Sequence, residues 1–223
     1  MIIAIDGFAG VGKTTVSAEV ARKLGFKTLN TGAFFRGIAW KTMMSGGVDT
    51  DQLVEIARDT KITFGYRMNE TKASRIFVDG KEVSWQLGDQ SVADAASKIS
   101  AIPEIREVVL EMERSAVEDG NYIVEGRDIG TVVFPNAEVK VFLTATPETR
   151  ARRRAKQWEL EGRGKIDLDD LICFIKDRDD RDANRDAAPC VPASDAVLIV
   201  TDPLTKEEVA EKVCDLVRQR RSR

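Results

Sequence analysis

Apolar residues in this chain fall into two patterns: short continuous runs, and longer stretches in which they recur every three or four positions. The first run, Ile2 to Asp6, is nearly unbroken, which predicts a strand covered on both faces of a parallel sheet. Similar runs recur at Lys27–Asn30, Tyr122–Glu125, Val139–Leu143 and Val197–Thr201. A helix is predicted from Lys13 to Leu24, with Val16, Val20 and Leu24 at helical spacing and Gly25 just past its end. Further helical stretches are Ile105–Glu118, Pro147–Glu161, Leu168–Arg185 and Lys206–Arg221. This alternation predicts an α/β fold with a doubly wound parallel sheet. Between about Lys61 and Trp85 it is interrupted by ITFGY, RIFV and KEVSW, the last two joined through Asp79-Gly80, a pair suited to a tight hairpin turn. That piece reads as an inserted β lobe, not a second domain.

Composition narrows the chemistry. The chain has 223 residues, enough for one α/β domain with an insert. Lysine plus arginine number 34 against 37 acidic residues, a net charge of −3, so no global basic field invites nucleic acid. Three scattered cysteines, Cys173, Cys190 and Cys214, do not make a disulfide framework or a four-ligand zinc site. No basic leader precedes the first apolar run and no run of about 18 apolar residues occurs, so the expectation is a soluble, cytoplasmic protein without membrane partners. Histidine is absent, which removes Ser-His-Asp triads and histidine bases or metal ligands. Chemistry must come from Asp, Glu, Lys, Arg, hydroxyls or a bound metal.

The stretch GFAGVGKT, residues 7 to 14, satisfies G-x-x-x-x-G-K-[ST] and lies between a predicted strand and a predicted helix, the context that motif requires. Its glycines let successive backbone N–H groups from Gly10 to Thr14 face phosphate oxygens at a helix N-terminus. Lys13 would bridge the β and γ phosphates, and Thr14 would offer its hydroxyl to Mg²⁺. The motif therefore predicts a bound nucleoside triphosphate. A regulatory GTPase would also carry D-x-x-G and N-K-x-D signals, and neither is present.

Three clusters bear on an acceptor. NTGAFFR, residues 30 to 36, follows the second strand, where Thr31 is placed to hydrogen-bond an anion and Arg36 to clamp it; a capped helix start with a surface arginine is the plainer alternative. EGRDIGT, residues 125 to 131, brings Arg127 and Asp128 to the same crevice, or is simply a polar loop. RDDRDANR sets Arg178, Asp182 and Arg185 at i, i+4 and i+7 on one helical face, which also fits a solvated helix laced with ion pairs. In TPETRARRR, Thr146 is suited to the N-cap, Pro147 to the first helical position and Glu148 to the positive end of the dipole, with Arg150 and Arg154 on one face and Arg153 beside them. Guanidinium groups there would offset charge on a transferring phosphoryl group, or lie on a basic exposed helix. EGRGK, residues 161 to 165, suits a mobile flap that excludes water.

Taken together, GFAGVGKTT, NTGAFFR, DAASKIS, EGRDIGTVVFP and RDDRDANRDAAPCVPA occur in the order found in the bacterial type of cytidylate kinase, and the resemblance spans essentially the whole chain. It implies a P-loop nucleoside monophosphate kinase fold with a five-stranded parallel core over about residues 1–33 and 104–223. A monophosphate-binding insert would cover about 34–103 and a short lid about 150–166. The implied reaction is phosphoryl transfer from ATP to CMP or dCMP, with Mg²⁺ as cofactor and a monomeric chain expected.

Position by position, the resemblance implies that Gly7, Phe8, Ala9, Gly10, Val11, Gly12, Lys13, Thr14 and Thr15 cradle ATP. Arg36, Arg127 and Arg185 would surround the acceptor phosphate, with Thr31 and Asp128 beside them. Ser97 and Arg106 would face the cytosine edge, and Arg178 with Asp182 would lie near pentose and base. Lys13, Arg127, Asp128, Arg150, Arg153 and Arg154 form the implied catalytic set, the last three on the lid side. Three positions depart from the family pattern: Thr31 for serine, Phe35 for tyrosine and Phe8 for proline. Thr31 keeps a hydroxyl, whereas Phe35 loses one. Alternatives of the same architecture are a UMP/CMP kinase or a shikimate-type kinase, and a non-catalytic nucleotide-binding module is the alternative of another class.

Overall fold

The computed structural model describes residues 1–46, 49–66, 73–162 and 164–222. Strand β1 (Ile2–Gly7) lies at the centre of a five-stranded sheet because its side chains are apolar on both faces. It leads into helix α1 (Lys13–Leu24), which ends where Gly25 takes the left-handed conformation and donates its N–H to the Ala21 carbonyl. Strand β2 (Lys27–Asn30) follows, then helices α2 (Gly32–Met44) and α3 (Thr50–Arg58). The inserted piece is an antiparallel sheet of β3 (Ile62–Tyr66), β4 (Ala73–Val78) and β5 (Lys81–Glu82). Asp79 and Gly80, at φ 49° and 80°, make the expected tight turn between β4 and β5. Residues 67–72, which belong to the same predicted lobe, lie outside the described residues.

The chain returns through α4 (Gln90–Ile99) and α5 (Pro103–Ser115) to β6 (Tyr122–Glu125). A five-residue π-type turn, Ile129–Val133, precedes β7 (Val139–Thr144) and α6 (Pro147–Leu160). Helix α7 (Leu168–Asn184), strand β8 (Val197–Val200) and helix α8 (Lys206–Arg221) complete the order. The parallel strands run β2-β6-β1-β7-β8, so the chain crosses from one side of β1 to the other between β6 and β7. Such a reversal opens a crevice at the carboxyl ends of the strands.

Alternation along β1 divides the core. Ala4, Leu29 and Val124 face Phe34, Ile38, Ile105 and Val109 on one side of the sheet. Ile3, Ile5, Ile123 and Leu143 face Val16, Val20, Val213 and Val217 of α1 and α8 on the other. Burial of each large aliphatic side chain contributes roughly 1.5–3 kcal/mol, and both faces must be covered for the strands to be stable.

Strand and helix ends agree with the sequence pattern to within a few residues, but α2, α3 and α4 lie outside the stretches that the pattern predicts as helical. Helix α2 buries Ala33, Phe34, Phe35, Gly37, Ile38 and Ala39 on several faces because it is packed against both the inserted lobe and other helices, so its sequence carries no single apolar stripe. Helix α4 is legible only in part, since its buried positions include small residues, Ala93, Ala96 and Ser97. Helix α7 ends at Asn184, and Arg185 follows in extended backbone (φ −68°, ψ 143°) instead of continuing the helical face predicted for it. Among the described residues no helix is long and apolar enough to cross a membrane.

Candidate active site

The loop after β1 is shaped by close approach. Gly7 has φ +139°, and a Cβ there would lie 2.2 Å from the Leu143 carbonyl oxygen, so a side chain would force the two strands apart. Gly12, at φ +99°, supplies the left-handed residue that starts α1. Lys13 is buried, and its Nζ donates to the carbonyls of Gly7 at 2.6 Å and Phe8 at 2.8 Å. Burial, reinforced by the charge of Arg127, pulls its pKa down to about 7 against the opposing pull of Glu125 and Asp6. Phe8 stacks edge-on against Phe142 at 6.1 Å and lies under the Arg150 guanidinium at 5.9 Å, so this departure from the family pattern is absorbed in packing.

Thr14 reaches across to the neighbouring strand. Its Oγ1 donates to Glu125 Oε2 at 3.1 Å and accepts from Asn30 Nδ2 at 3.3 Å. A hydroxyl and a buried carboxylate beside a phosphate loop are hard oxygen donors, a set that fits Mg²⁺ held jointly by protein, water and substrate phosphates. Among the described residues no group of three or more His, Cys, Asp and Glu forms an all-protein cage. Thr14 follows from the motif, whereas Glu125, which opens EGRDIGT and ends the strand adjacent to β1, carries no metal-binding signal of its own in the sequence.

From this loop a cleft of about 840 Å³ extends over the carboxyl ends of β2 and β6 towards the insert. Arg36, Arg106, Arg127, Arg178 and Arg185 all line it, together with Ser97, Asp128 and Asp182. Two buried carboxylates organise four of the five guanidinium groups, while the fifth, Arg36, donates to Asn30 Oδ1 at 3.5 Å. Asp128 pairs with Arg106 and, at 3.5 Å, with Arg185. Asp182 accepts from Arg127 Nε at 3.0 Å and Ser97 Oγ at 3.1 Å, and lies 3.9 Å from Arg178 Nε. Burial alone would raise the Asp182 carboxyl, but Arg127 and Arg178 outweigh it and hold the pKa below the usual carboxylate range. Burial lowers Arg36 and Arg178 to about 10 each, so both remain cationic near neutrality.

The arginine cluster retains bonding capacity. Among the described residues the buried Arg178 Nε and Arg185 Nη2 have no hydrogen-bond acceptor, although both face carboxylates as ion-pair partners. Buried donors of this kind are costly unless an anion or water meets them. Arg106 also packs over the Phe35 ring at 5.5 Å, so the aromatic face serves as a platform where the expected tyrosine hydroxyl is missing. Thr31 lines the cleft but directs its hydroxyl to the Glu125 carbonyl at 3.2 Å, towards β6. This anchors the start of α2 and does not leave the hydroxyl directed at an anion.

The three lid-side arginines separate in space. Arg150 is buried, paired with Asp179, and donates to the carbonyls of Ala145 at 3.0 Å and Ala9 at 3.1 Å; it does not line the cleft. In this conformation it braces the back of the phosphate loop against α7, because Asp179 and the loop carbonyls satisfy its planar fork. Arg153 lines the cleft and donates to Thr201 Oγ1 at 2.9 Å and Thr201 O at 2.8 Å. Arg154, also in the lining, stacks over Trp158 and reaches the Gly88 carbonyl at 3.4 Å, linking α6 to the insert. Thr146 caps α6 as predicted, accepting from Thr149 N. Helix α6 ends at Leu160, and of the predicted flap 161–165, Arg163 lies outside the described residues.

The apolar and polar residues that close the cleft beyond the phosphate loop, Thr201, Leu204, Lys206 and Val209, carried no sequence signal; only the fold brings the β8–α8 junction beside Val11 and Arg153. Residues 3–219 match the family model described as cytidylate kinase. The chain belongs to the cytidylate kinase family. It is 39% identical over 220 residues to a cytidylate kinase of Caldanaerobacter subterraneus, covering 97% of this chain and 94% of that relative. It is 41% identical over 220 residues to a bifunctional pantoate ligase/cytidylate kinase of Synechococcus sp., covering 98% of this chain but 40% of the relative, so it spans about two fifths of that protein's length. The crystal structure of an uncharacterized protein from Eubacterium ventriosum shares the fold, with a TM-score of 0.51, 14% identity and 98% coverage of both chains. Within the cytidylate kinase family, then, this chain combines an intact phosphate loop with phenylalanine at positions 8 and 35.

Proposed function

We propose that this protein transfers the γ-phosphoryl group of ATP to CMP or dCMP, producing ADP and CDP or dCDP. The observation that carries the reading is one continuous cleft with the Lys13 loop at one end and five arginines at the other, four of them held by Asp128 and Asp182. Family membership supplies the monophosphate as the acceptor class.

In this reading residues Gly7 to Thr15 hold the ATP phosphates, and Lys13 leaves the Gly7 and Phe8 carbonyls to meet the β and γ oxygens. Contact with those anions restores the Lys13 charge that burial has weakened. Thr14 and Glu125 would hold Mg²⁺, which supplies neutralisation of charge on the β and γ oxygens when bound. Arg36, Arg127 and Arg185 clamp the acceptor phosphate, while Arg178 and Asp182 orient the sugar. Ser97 and Arg106, with Asp128 behind them, face the base. Residues 34–103 act as the acceptor-binding insert and 150–166 as the lid.

A phosphate oxygen of CMP attacks the γ phosphorus, and the bond from that phosphorus to the β-γ bridging oxygen breaks, leaving the electron pair on ADP. The second pKa of a phosphate monoester is about 6, so the nucleophile is already ionised near neutrality and needs no histidine base. Catalysis is then alignment of two anions and neutralisation of their repulsion. Arg150, braced by Asp179, acts on the loop's shape, whereas Arg153 and Arg154 are placed to approach the nucleotides as the lid moves. ADP release with ATP and Mg²⁺, measured across nucleoside monophosphates, shikimate and gluconate, tests the proposal. Selective stimulation by CMP and dCMP is expected; equal rates with UMP or with a small alcohol would overturn it.

A further inference from the structure

Asp6 was not singled out by any motif, and it does not line the cleft, yet it is 5% exposed and lies directly before Gly7 of the phosphate loop. Its Oδ1 accepts the Ile129 N–H at 2.8 Å and its Oδ2 accepts the Gly130 N–H at 2.8 Å. Those two amides begin the π-type turn that follows Arg127 and Asp128. The turn is otherwise closed on itself, with Val132 and Val133 donating to the Asp128 carbonyl and Phe134 to that of Ile129. Both amides are therefore satisfied by one carboxylate from another strand.

The fit leaves little room. A Cβ on Gly130 would lie 3.4 Å from Asp6 Oδ2 and 3.1 Å from Lys140 Cδ, and a Cβ on Gly126 would lie 2.6 Å from Ile129 Cδ1. Ile129 itself is fully buried. The turn cannot slide along β1 without losing both bonds, and the residues carried just ahead of it, Arg127 and Asp128, hold Asp182, Arg106 and Arg185.

We propose that Asp6 is a positioning residue that locks the acceptor-side turn to the end of the phosphate-loop strand, fixing the distance between the two ends of the cleft. It acts through the Ile129 and Gly130 amides and touches neither nucleotide. The consequence for turnover rests on the phosphotransferase reading above; the consequence for the turn does not.

Asp6→Asn keeps shape but replaces one acceptor by an amide donor facing an N–H, so one of the two bonds is lost. In wild type and variant, three quantities are measured: KM for CMP, KM for ATP, and amide exchange of Ile129 and Gly130. The expected result is a rise in KM for CMP of about tenfold, the scale of one charge-assisted hydrogen bond, with KM for ATP little changed and the thermal midpoint lowered by only a few degrees. Exchange at Ile129 and Gly130 should quicken by at least about tenfold while the amides of Ile123 and Val124 stay protected. Unchanged exchange overturns the proposal whatever the kinetics show. Faster exchange in a protein whose wild type ignores CMP leaves the clasp standing and removes the kinase reading instead.

If the variant does not fold, the wild type answers the same question. Burial holds the Asp6 pKa at about 6, against its amide bonds and with Asp128 raising and Lys13 lowering it; Cys190 and Lys140 are the other titratable neighbours. Protonation gives up one acceptor, so the Ile129 and Gly130 amide shifts should move together with a common midpoint near pH 6. Flat shifts over the whole range from about pH 3 to 8 overturn the proposal.

Discussion

Asp182→Ala is the perturbation whose size follows most directly from the structure. The carboxylate is buried and bonded to Arg127 and Ser97, with Arg178 at 3.9 Å. Removing it leaves guanidinium groups facing each other with no anion between them. Breaking a buried pair by deleting one partner costs about 3–5 kcal/mol. The Arg127 side chain is 19% exposed, so water offsets part of that, and about 3 kcal/mol is the expected loss. For a domain of this length each kcal/mol lowers Tm by roughly 2–4 °C, giving a fall of about 6–12 °C.

The sign with pH is fixed by the carboxyl's lowered pKa: the pair stabilises the fold above the ordinary carboxylate pKa and loses that contribution as pH falls through the native value. Thermal melts of wild type and variant at pH 7.5 therefore record the full difference, and the gap should close only in strong acid. Steady-state kinetics on the folded variant at low temperature should show a raised KM for CMP, because the guanidinium groups lose their common anchor. A Tm difference below about 2 °C at pH 7.5 would refute the view that Asp182 is the electrostatic keystone of this cluster.

Arg36→Ala and Arg185→Ala should raise KM for CMP by roughly 10- to 100-fold, the scale of a lost bidentate ion pair, with a far smaller change in ATP binding; equal loss of both in nucleotide titrations would contradict their acceptor role. Lys13→Ala should abolish phosphoryl transfer while circular dichroism shows a folded protein, and retained ADP release would defeat the phosphate-loop assignment. Glu113 is buried, and burial together with the nearby Asp128 charge pushes its pKa to about 8 against Arg106, Thr31 and Arg185. Its neutral form is the one that folds well, so its contribution is intact below the ordinary glutamate pKa and is lost as pH rises towards 8, with about 5 kcal/mol as a ceiling. Glu113→Gln should therefore match wild type in chemical denaturation near pH 5 and exceed it increasingly up to about pH 8; a constant difference would show that the carboxyl has the same pKa in the folded and unfolded protein.

Local chemistry was legible wherever a residue's role depends on its immediate neighbours in the chain. The phosphate loop is readable because glycine, lysine and threonine must follow one another at fixed spacing for a strand to turn into a helix around an anion. Gly25 and Thr146 mark helix ends for the same reason, and Asp79-Gly80 fixes a turn through backbone angles that few other pairs adopt. The order of the parallel strands was not written in their apolar runs, since any two such runs can pair. Tertiary structure placed β6 between β1 and β2, and that placement alone brings Glu125 to Thr14 and the amides of Ile129 and Gly130 to Asp6. It likewise turned Arg150 behind the loop while leaving Arg153 and Arg154 in the cleft, although all three share one basic helix. A sequence states which charges exist and how they are spaced along one element; which carboxylate meets which guanidinium is decided by packing between elements, because buried charges are stable only where a partner from elsewhere in the fold reaches them.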